Sequence, residues 1–419
     1  MILTTNWKKP NQRKLETAVK NGAYASLKKL FSMKPEQVTE EVKAAGLRGR
    51  GGAGFSAGVK WGFVPKNTGK LIYLICNFDE SEPGTFKDRA IAEHDPHMLI
   101  EGMIIAAYAI GSHTAYSYIR GEFYRQWEIL EEALKEAYDA GFLGKNIQKS
   151  GFDFDIYQHR GAGAYICGEE TALLSSLEGG RGYPRIKPPF PAIEGAFGSP
   201  TIVNNVETLS SLPFILERGA AAFRKFGTEK SAGTKLISAS GHINKPGVYE
   251  VEMGLPIRTF LEEHCGGVWK SRRLKGLVPG GSSFAVLTAE EAYRTNLDFE
   301  SCAAVGTSLG SGGFYVMDET TCMVRMLEFT SKFYEHESCG QCTPCREGTG
   351  WVHKIMRRIE EGHGRMRDID LLAEVSRNMM NRKTICVFAD ALAIPVLSYI
   401  QKFRGEFEEH IKRGGCPNG

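Results

Sequence analysis

The chain has 419 residues, with 52 Lys and Arg against 49 Asp and Glu and a formal net charge of +3. At about 150 residues per domain this length predicts about three domains, and the near-balanced charge excludes a strongly basic nucleic-acid binder and an acidic disordered chain. Glycine is abundant, at 48 residues, which predicts loops where backbone comes close to a ligand or to other backbone.

From the N-terminus, no apolar stretch followed by a small-residue cleavage site marks a secretory signal. The longest apolar run, Met98 to Gly111, carries Glu101 and is too short to span a bilayer. These features predict a cytosolic chain, or one on the cytosolic face of a membrane, without direct membrane insertion. Residues 12–47 read as helical, with a second helix from Pro35 to Ala45. The Gly-dense loop Gly49-Arg50-Gly51-Gly52-Ala53-Gly54-Phe55 follows. Leu71 to Cys76 reads as a buried strand running into the acidic loop Asp79-Glu80-Ser81-Glu82. Met98 to Tyr108 is an apolar helix, Thr114 to Ile119 a strand, and Glu122 to Ala140 an amphipathic helix closed by Gly141. Phe152 to Ile156 alternates with period two and reads as a strand. It leads through Gly161-Ala162-Gly163-Ala164 to a helix over Glu169 to Leu177. This alternation of helix and strand predicts an α/β layer architecture.

Segment 179–200 is rich in Gly and Pro with interleaved aromatic and basic residues, and reads as an ordered loop lining a site. Near residue 230 the composition shifts. Strands at Lys235 to His242 and Val248 to Met253 flank the turn Asn244-Lys245-Pro246-Gly247, a short helix spans Ile257 to His264, and strands follow at Leu274 to Val278 and Phe314 to Met317, a small α+β domain. From about 322 the pattern is purely helical. Its four faces carry Met326, Phe329 and Phe333, with Leu327 and Tyr334 adjoining; Trp351 to Ile359; Leu371 to Met379; and Leu392 to Ile411. They predict a four-helix bundle. The expected divisions are 1–45, an N-terminal helical extension; 46–228, the α/β domain; 229–320, the α+β domain; and 321–419, the bundle.

Ten cysteines in a chain without a signal predict reduced thiols rather than a disulfide framework. Most are isolated and read as small core residues. Cys339, Cys342 and Cys345 are not: Cys-x2-Cys-x2-Cys between two helices suits three corners of a 4Fe-4S cluster. Zinc, which normally takes two separate Cys-x2-Cys pairs, is the competitor, and no separate second pair exists. Spacing leaves the fourth ligand open between Cys386 and Cys416. Cys416 lies in a tail expected to fray, so a ligand held by the bundle should be Cys386.

The loop Gly49-x-Gly51-x-x-Gly54 follows a helix rather than a strand, so it is not a dinucleotide fingerprint in context. Its many glycines nevertheless leave backbone N–H groups free to face an anion, with Arg48, Arg50 and Lys60 near, and Phe55, Trp61 and Phe63 add flat surfaces, a combination that bare turn chemistry does not need. The second glycine loop, between strand and helix, has nucleotide-site geometry. Glu169 and Glu170 at its helix start read either as dipole partners or as ligands of ribose hydroxyls. Asn204-Asn205 before Val206 reads as a third polar helix start, with simple capping the alternative. The acidic loop after the Leu71 strand reads as a solvated turn or, at a strand end, a ligand contact. His94, His113, His159 and His336 show no metal or triad spacing and read as structural or surface groups.

Gly49 to Phe55 with Lys60-Trp61, Asn77 with Glu80 to Thr85, Gly161 to Leu173, and Glu337 to Arg346 together resemble the NADH-binding flavoprotein subunit of respiratory complex I, from about residue 40 to 400. The resemblance implies a Rossmann-like FMN/NADH domain, a ubiquitin-like (soluble-ligand-binding β-grasp) domain and a C-terminal four-helix bundle carrying a 4Fe-4S cluster. By analogy FMN is held by Gly49, Gly51, Lys60, Asn77, Asp79, Glu80, Gly168, Glu169, Asn204, Asn205 and Thr208. NADH is expected at Phe55, Phe63, Glu82, Tyr165, Glu170, Lys187 and Phe190, and the cluster on Cys339, Cys342, Cys345 and Cys386. Ser56-Ala57 departs from the usual Pro-Thr, and Val387-Phe388-Ala389 from the smaller residues common after the last cysteine.

The implied chemistry is hydride transfer from NADH to FMN and single-electron exit through the cluster, with no side-chain acid or base needed for the hydride step. The implied partners are a thioredoxin-like 2Fe-2S subunit and further iron–sulfur subunits of a peripheral arm. The same module within an NAD-linked hydrogenase or formate dehydrogenase is the nearest alternative. A zinc-stabilised interaction protein, without flavin or cluster, is the reading from another class.

Overall fold

The computed structural model describes residues 1–66 and 68–416. Its first sheet has four strands, all parallel, in the order β3-β2-β1-β4: β1 Tyr73–Phe78, β2 Thr114–Ile119, β3 Asp155–Arg160 and β4 Thr201–Asn205. Parallel neighbours require crossovers, and helices supply them. Helix Pro96–Ile110 lies between β1 and β2 and is buried along almost all its length. Its one carboxylate, Glu101, is occupied: the backbone N–H groups of Tyr24 and Ser26 donate to it at 2.8 and 3.2 Å. That residue therefore pins the N-terminal segment to the core.

Several expected boundaries move. β1 begins at Tyr73 rather than Leu71, which is 66% exposed, because pairing to Thr114 and Thr201 fixes where the sheet starts. β3 begins at Asp155. Phe152 and Phe154 precede it and are buried under the sheet end, and the polar run Tyr157-Gln158-His159-Arg160 is strand after all. β3 is an edge strand, with one face open to solvent, so its polar residues do not oppose pairing. Asn204 and Asn205 end strand β4, which the sequence pattern did not predict, and the helix Val206–Ser210 starts at Val206 as expected. Helices Lys87–His94 and Leu212–Arg218 are additional to the sequence expectation.

The second sheet is mixed, in the order β6-β5-β9-β7-β8. It comprises β5 Thr234–Gly241, β6 Gly247–Glu252, β7 Leu274–Val278, β8 Leu287–Thr288 and β9 Gly313–Asp318. β5 runs parallel to β9 at the centre and the outer pairs are antiparallel. Four helices follow, Met323–Glu337, Thr343–Glu360, Met366–Met379 and Phe388–Arg413. The inward face of the first is Val324, Leu327, Ser331 and Tyr334, with Met326 and Phe333 only half-buried and Phe329 outside. The face expected at 326, 329 and 333 instead lines a cavity shared with Gly241 of β5 and Tyr315 and Val316 of β9. Trp351 likewise points outward while Val352, Ile355, Met356 and Ile359 pack inside. None of the described helices is long and apolar enough to cross a membrane.

Candidate functional site

In a parallel sheet the C-terminal strand ends open onto a crevice where the chain order reverses, and ligands bind there. Here the reversal falls between β1 and β4. Asn77 stands at the end of β1 and Asn204 and Asn205 at the end of β4, with Asn77 paired to Asn205 in register. The Asn77 side chain donates to the carbonyl of Gly168 at 2.9 Å, and its oxygen accepts from the Asp79 backbone N–H at 3.1 Å. The second glycine loop is thus tied to the strand end. Asn204 accepts from the Trp61 indole at 2.9 Å. Asn205 caps helix Val206–Ser210 by accepting from the Glu207 N–H at 3.0 Å, as the capping alternative anticipated, while its amide donates to Asp88.

The first glycine loop closes over the same crevice. Gly49 N–H donates to the Phe55 carbonyl at 2.7 Å, and Arg50 N–H donates to the Thr208 hydroxyl at 2.8 Å. A Cβ on Gly51 would stand 3.0 Å from Asn205 Cβ. The loop therefore needs glycine there for a close approach. Beyond it Ser56 caps helix Ala57–Trp61, so the departure from Pro-Thr still gives a helix start. Phe55 and Phe63 are each about half exposed, with ring centroids 6.2 Å apart and planes tilted by 37°. Two unsatisfied apolar plates beside a polar crevice suit a stacked base.

Glu169 and Glu170 diverge in role. Glu169 caps helix Glu170–Leu177, accepting from the N–H groups of Thr171 and Ala172 at 2.8 and 3.0 Å. Its other oxygen accepts from Lys187 at 2.9 Å. Glu170 lies between Lys60 and Lys187, at 2.8 and 2.9 Å. Burial pushes its carboxyl up, but the two ammonium groups prevail and hold it at about 2. Lys60 also donates to the Val203 carbonyl at 3.0 Å. Phe190 stands 57% exposed on the loop that carries Lys187.

The acidic loop is only partly free. Glu80 is buried and accepts from the Asp88 and Arg89 N–H groups at 2.7 and 3.1 Å, at the start of helix Lys87–His94. Burial, with Asp88 beside it, raises its carboxyl to about 7. Asp79 accepts from Ser81 at 2.6 Å through one oxygen; the other, Oδ2, is buried without a partner. Burial raises this carboxyl also to about 7. A buried acceptor lacking a donor is costly, and the hydroxyl groups of a flavin side chain are donors of the right kind. The crevice therefore fits FMN on three counts: glycine backbone at close approach, an orphaned carboxylate oxygen and flanking lysines.

Glu82 and Tyr165 sit at the junction of all three folded units. The Tyr165 hydroxyl donates to Glu82 at 2.6 Å, and Ser282 and the Ser283 N–H donate to the other oxygen at 3.2 and 2.8 Å. The Tyr165 N–H donates to Glu337, and its ring meets Phe333, Tyr334 and Phe388 edge-on at 5.3 to 5.8 Å. Tyr165 thus packs the glycine loop onto the helices that carry the cysteines.

Cys339, Cys342, Cys345 and Cys386 line one pocket, with Pro184 from the 179–200 loop forming part of its wall. The same loop carries Lys187 to Glu169 and Glu170, so it touches both the crevice and the thiol pocket. Burial pushes the Cys345 and Cys386 thiols up to about 11 and 12. Four thiols converging in a place that disfavours bare thiolates suit an iron–sulfur cluster, whose positive metal centres reverse that penalty. Ile385 N–H donates to Cys342 Sγ at 3.3 Å. Cys416 is not in this pocket. It lies beside Cys322 and His410, so Cys416, expected in a frayed tail, is itself packed, while residues 417–419 lie outside the described residues.

Sequence reasoning missed a buried charge cluster beneath the crevice. Lys235 and Lys87 both reach Glu207, at 2.6 and 2.8 Å, and all three side chains are fully buried. Arg50, also fully buried, donates to the Ala232 carbonyl at 2.8 Å. Lys235 on β5 of the second sheet meets Glu207 on the helix that follows β4 of the first, so the cluster ties the two sheets together. Arg50 alone stands in a motif the sequence shows; the four come from separate stretches, and no local pattern brings them together.

Comparison with known proteins finds three family models along the chain. Residues 42–213 match the Nuo51 FMN-binding domain model, residues 235–304 the SLBB domain, and residues 325–410 the NADH-ubiquinone oxidoreductase-F iron-sulfur binding region. The chain is 49% identical to an NADH-quinone oxidoreductase F subunit of Rhizobium meliloti, the second of that name, covering 99% of each. It is 50% identical to the NADH-quinone oxidoreductase F subunit of Rickettsia bellii, covering 97% of this chain and 98% of the other. Among solved structures, an NAD+-reducing [NiFe]-hydrogenase in the air-oxidized state superposes with a TM-score of 0.83 at 36% identity over 93% of this chain. The present chain spans 65% of that one. Near-complete coverage at such identity, on a crevice and thiol pocket of this construction, places the chain in the family of NADH-quinone oxidoreductase F subunits.

Proposed function

We propose that this chain is the NADH dehydrogenase (electron-input) subunit of an NADH-quinone oxidoreductase. FMN, when bound, supplies two-electron oxidation of NADH and one-electron delivery to a 4Fe-4S cluster. The chain's own residues bind, orient and insulate. Gly49 and Gly51 bring backbone N–H groups to the flavin, and Lys60 adds charge. Asn77, Asp79, Glu80, Gly168, Glu169, Asn204, Asn205 and Thr208 shape and hold its seat. Phe55 and Phe63, with Phe190, present faces for the nicotinamide dinucleotide's base, and Glu82, Tyr165, Glu170 and Lys187 border its path. Cys339, Cys342, Cys345 and Cys386 are the cluster ligands. Holding the two rings in one orientation carries the hydride step, so no side chain acts as acid or base in it.

The observation that carries this reading is a short chain of contacts: Asn77 at the strand end holds Gly168 of the second glycine loop, Tyr165 of that loop meets Phe388, and Phe388 lines the same pocket as Cys339, Cys342, Cys345 and Cys386. Electrons need a receiver beyond the cluster, and a thioredoxin-like 2Fe-2S protein with further iron–sulfur subunits of a peripheral arm meets that need. The place of work follows as the cytoplasmic face of the membrane, reached through the complex. The hydrogenase likeness supports a shared module, but full-length coverage favours the quinone-linked assignment.

Anaerobic purification with FMN and iron–sulfur reconstitution tests it. The expected protein shows flavin bands over broad iron–sulfur absorbance, and NADH bleaches both. Cys386→Ser loses the cluster and keeps flavin, while Cys416→Ser keeps both. A colourless protein, or one indifferent to NADH, overturns the reading; a cluster retained in Cys386→Ser overturns the ligand assignment.

A further inference from the structure

At the end of the bundle opposite the cysteine pocket, three metal-ligating side chains converge. Cys322 caps the first bundle helix, its sulfur accepting from the Arg325 N–H at 3.4 Å. His410, near the end of the last helix, is fully buried, and its Nδ1 stands 3.9 Å from Cys322 Sγ. The chain then passes Gly414 and Gly415, both at positive φ, with Gly415 N–H donating back to the His410 carbonyl at 3.1 Å. This glycine pair reverses the tail, as left-handed residues do at helix ends, and carries Cys416 back onto the bundle. The ligand atoms of Cys322, His410 and Cys416 all lie within 4.8 Å of one another.

A second observation points to a ligand. His410 Nε2 and Glu360 Oε2 face each other at 3.5 Å, and neither buried atom has a hydrogen-bond partner. A buried imidazole with only a distant sulfur on one nitrogen and a distant carboxylate on the other is poorly satisfied. A metal at Nδ1 resolves this. It requires the Nε2–H tautomer, which the carboxylate of Glu360 then accepts, the usual arrangement behind a metal-bound histidine. Around tetrahedral zinc, with bonds of about 2.3 Å to sulfur and about 2.0 Å to nitrogen, sulfur and nitrogen ligands stand about 3.5 Å apart. The observed separation of 3.9 Å needs only a slight contraction.

We propose that Cys322, Cys416 and Nδ1 of His410 bind one zinc-class divalent ion, with water in the fourth position, and that the ion clasps the C-terminal tail to the head of the first bundle helix. Binding forms two metal–sulfur bonds and one metal–nitrogen bond and releases the two thiol protons; nothing is oxidised. A fifteen-residue helix, about 22 Å long, lies between Cys322 and the cysteine pocket. The ion is therefore a structural clasp outside the electron path, and the proposal stands independently of the flavin and cluster assignment.

The test uses the full chain with its cluster assembled anaerobically, supplied with zinc, desalted and analysed for zinc and iron. A parallel sample takes cobalt(II), whose sulfur charge-transfer and tetrahedral bands report the ligands. About one zinc per chain is expected, falling at least fivefold in Cys416→Ser and in Cys322→Ser with iron and cluster absorbance unchanged. Serine at 322 keeps the helix cap, since its hydroxyl accepts the same N–H. Zinc unaffected by both substitutions, zinc bound only where iron is missing, or a Cys322–Cys416 disulfide with no zinc by peptide mapping would each overturn the proposal.

Discussion

Glu169 and Glu170 are adjacent, chemically identical and differently employed. The first caps its helix, and the second sits between two ammonium groups contributed by Lys60 and Lys187. Sequence alone could mark a pair of carboxylates at a helix start, but not which one meets the lysines, because Lys60 arrives on a separate helix and Lys187 on a separate loop. The electrostatic consequence is testable. Glu170 is held at about 2 against an ordinary 4.5, a difference worth about 3 kcal/mol. A depressed carboxyl contributes its stability above the ordinary value and loses it as pH falls toward the folded one. Glu170→Gln should thus lower thermal stability at pH 7, and its deficit should shrink to less than half by about pH 3. Parallel melting curves for the two proteins across that range would contradict the ion-pair account. At the same scale Asp79 and Glu80 were both legible as strand-end carboxylates. Only the fold assigns one to a helix N-terminus and leaves the other with a free oxygen.

Elements were legible where one period dominated. Thr114–Ile119 and Leu274–Val278 are strands over the residues the pattern predicted, since each alternates or runs apolar within a short, punctuated window. β4 was invisible, because five residues ending in two asparagines carry little strand signal and depend on their neighbour β1 for pairing. Packing between elements shows in glycines that periodicity ignores. A Cβ on Gly102, in the central helix Pro96–Ile110, would collide with the Leu209 carbonyl oxygen. Gly102→Ala should destabilise by about 3 kcal/mol, since the obstacle is backbone that cannot turn aside. Gly350, inside the second bundle helix, would place its Cβ 3.6 Å from a Glu335 oxygen, an ordinary contact. Gly350→Ala should stabilise by up to about 1 kcal/mol through helix propensity. Denaturation midpoints of the two variants, moving in opposite directions, check both claims together.

Across the molecule, the flavin-type domain and the β-grasp domain are joined by buried charge rather than by apolar contact alone. Burial pushes the Glu207 carboxyl up, but Lys235, Lys87 and Arg50 outweigh it and hold the group below its ordinary range. Lys235 moves the other way: burial lowers its ammonium to about 7 in spite of Glu207. Removing the shared anion leaves cations uncompensated in the interior. Glu207→Ala should therefore cost about 3–5 kcal/mol, read as loss of thermal stability with the flavin domain and β-grasp domain unfolding together. A loss below about 1 kcal/mol would mean the cluster is not the joint between them.

The kind of protein was legible in local patterns written in consecutive residues: the thiol spacing, the glycine density before Phe55, the strand–loop–helix around Gly163 and the three successive periodic regimes. Which side chains meet came from the folded arrangement. It put Cys386 with the thiol trio and Cys416 with Cys322 and His410, set Lys187 against Glu170, and gathered four buried charges under the crevice. The reason is that a ligand set or an ion pair depends on distances through space between stretches far apart in the chain. A period in the sequence fixes which face of an element is apolar, but not what that face, or the polar end of the element, will touch.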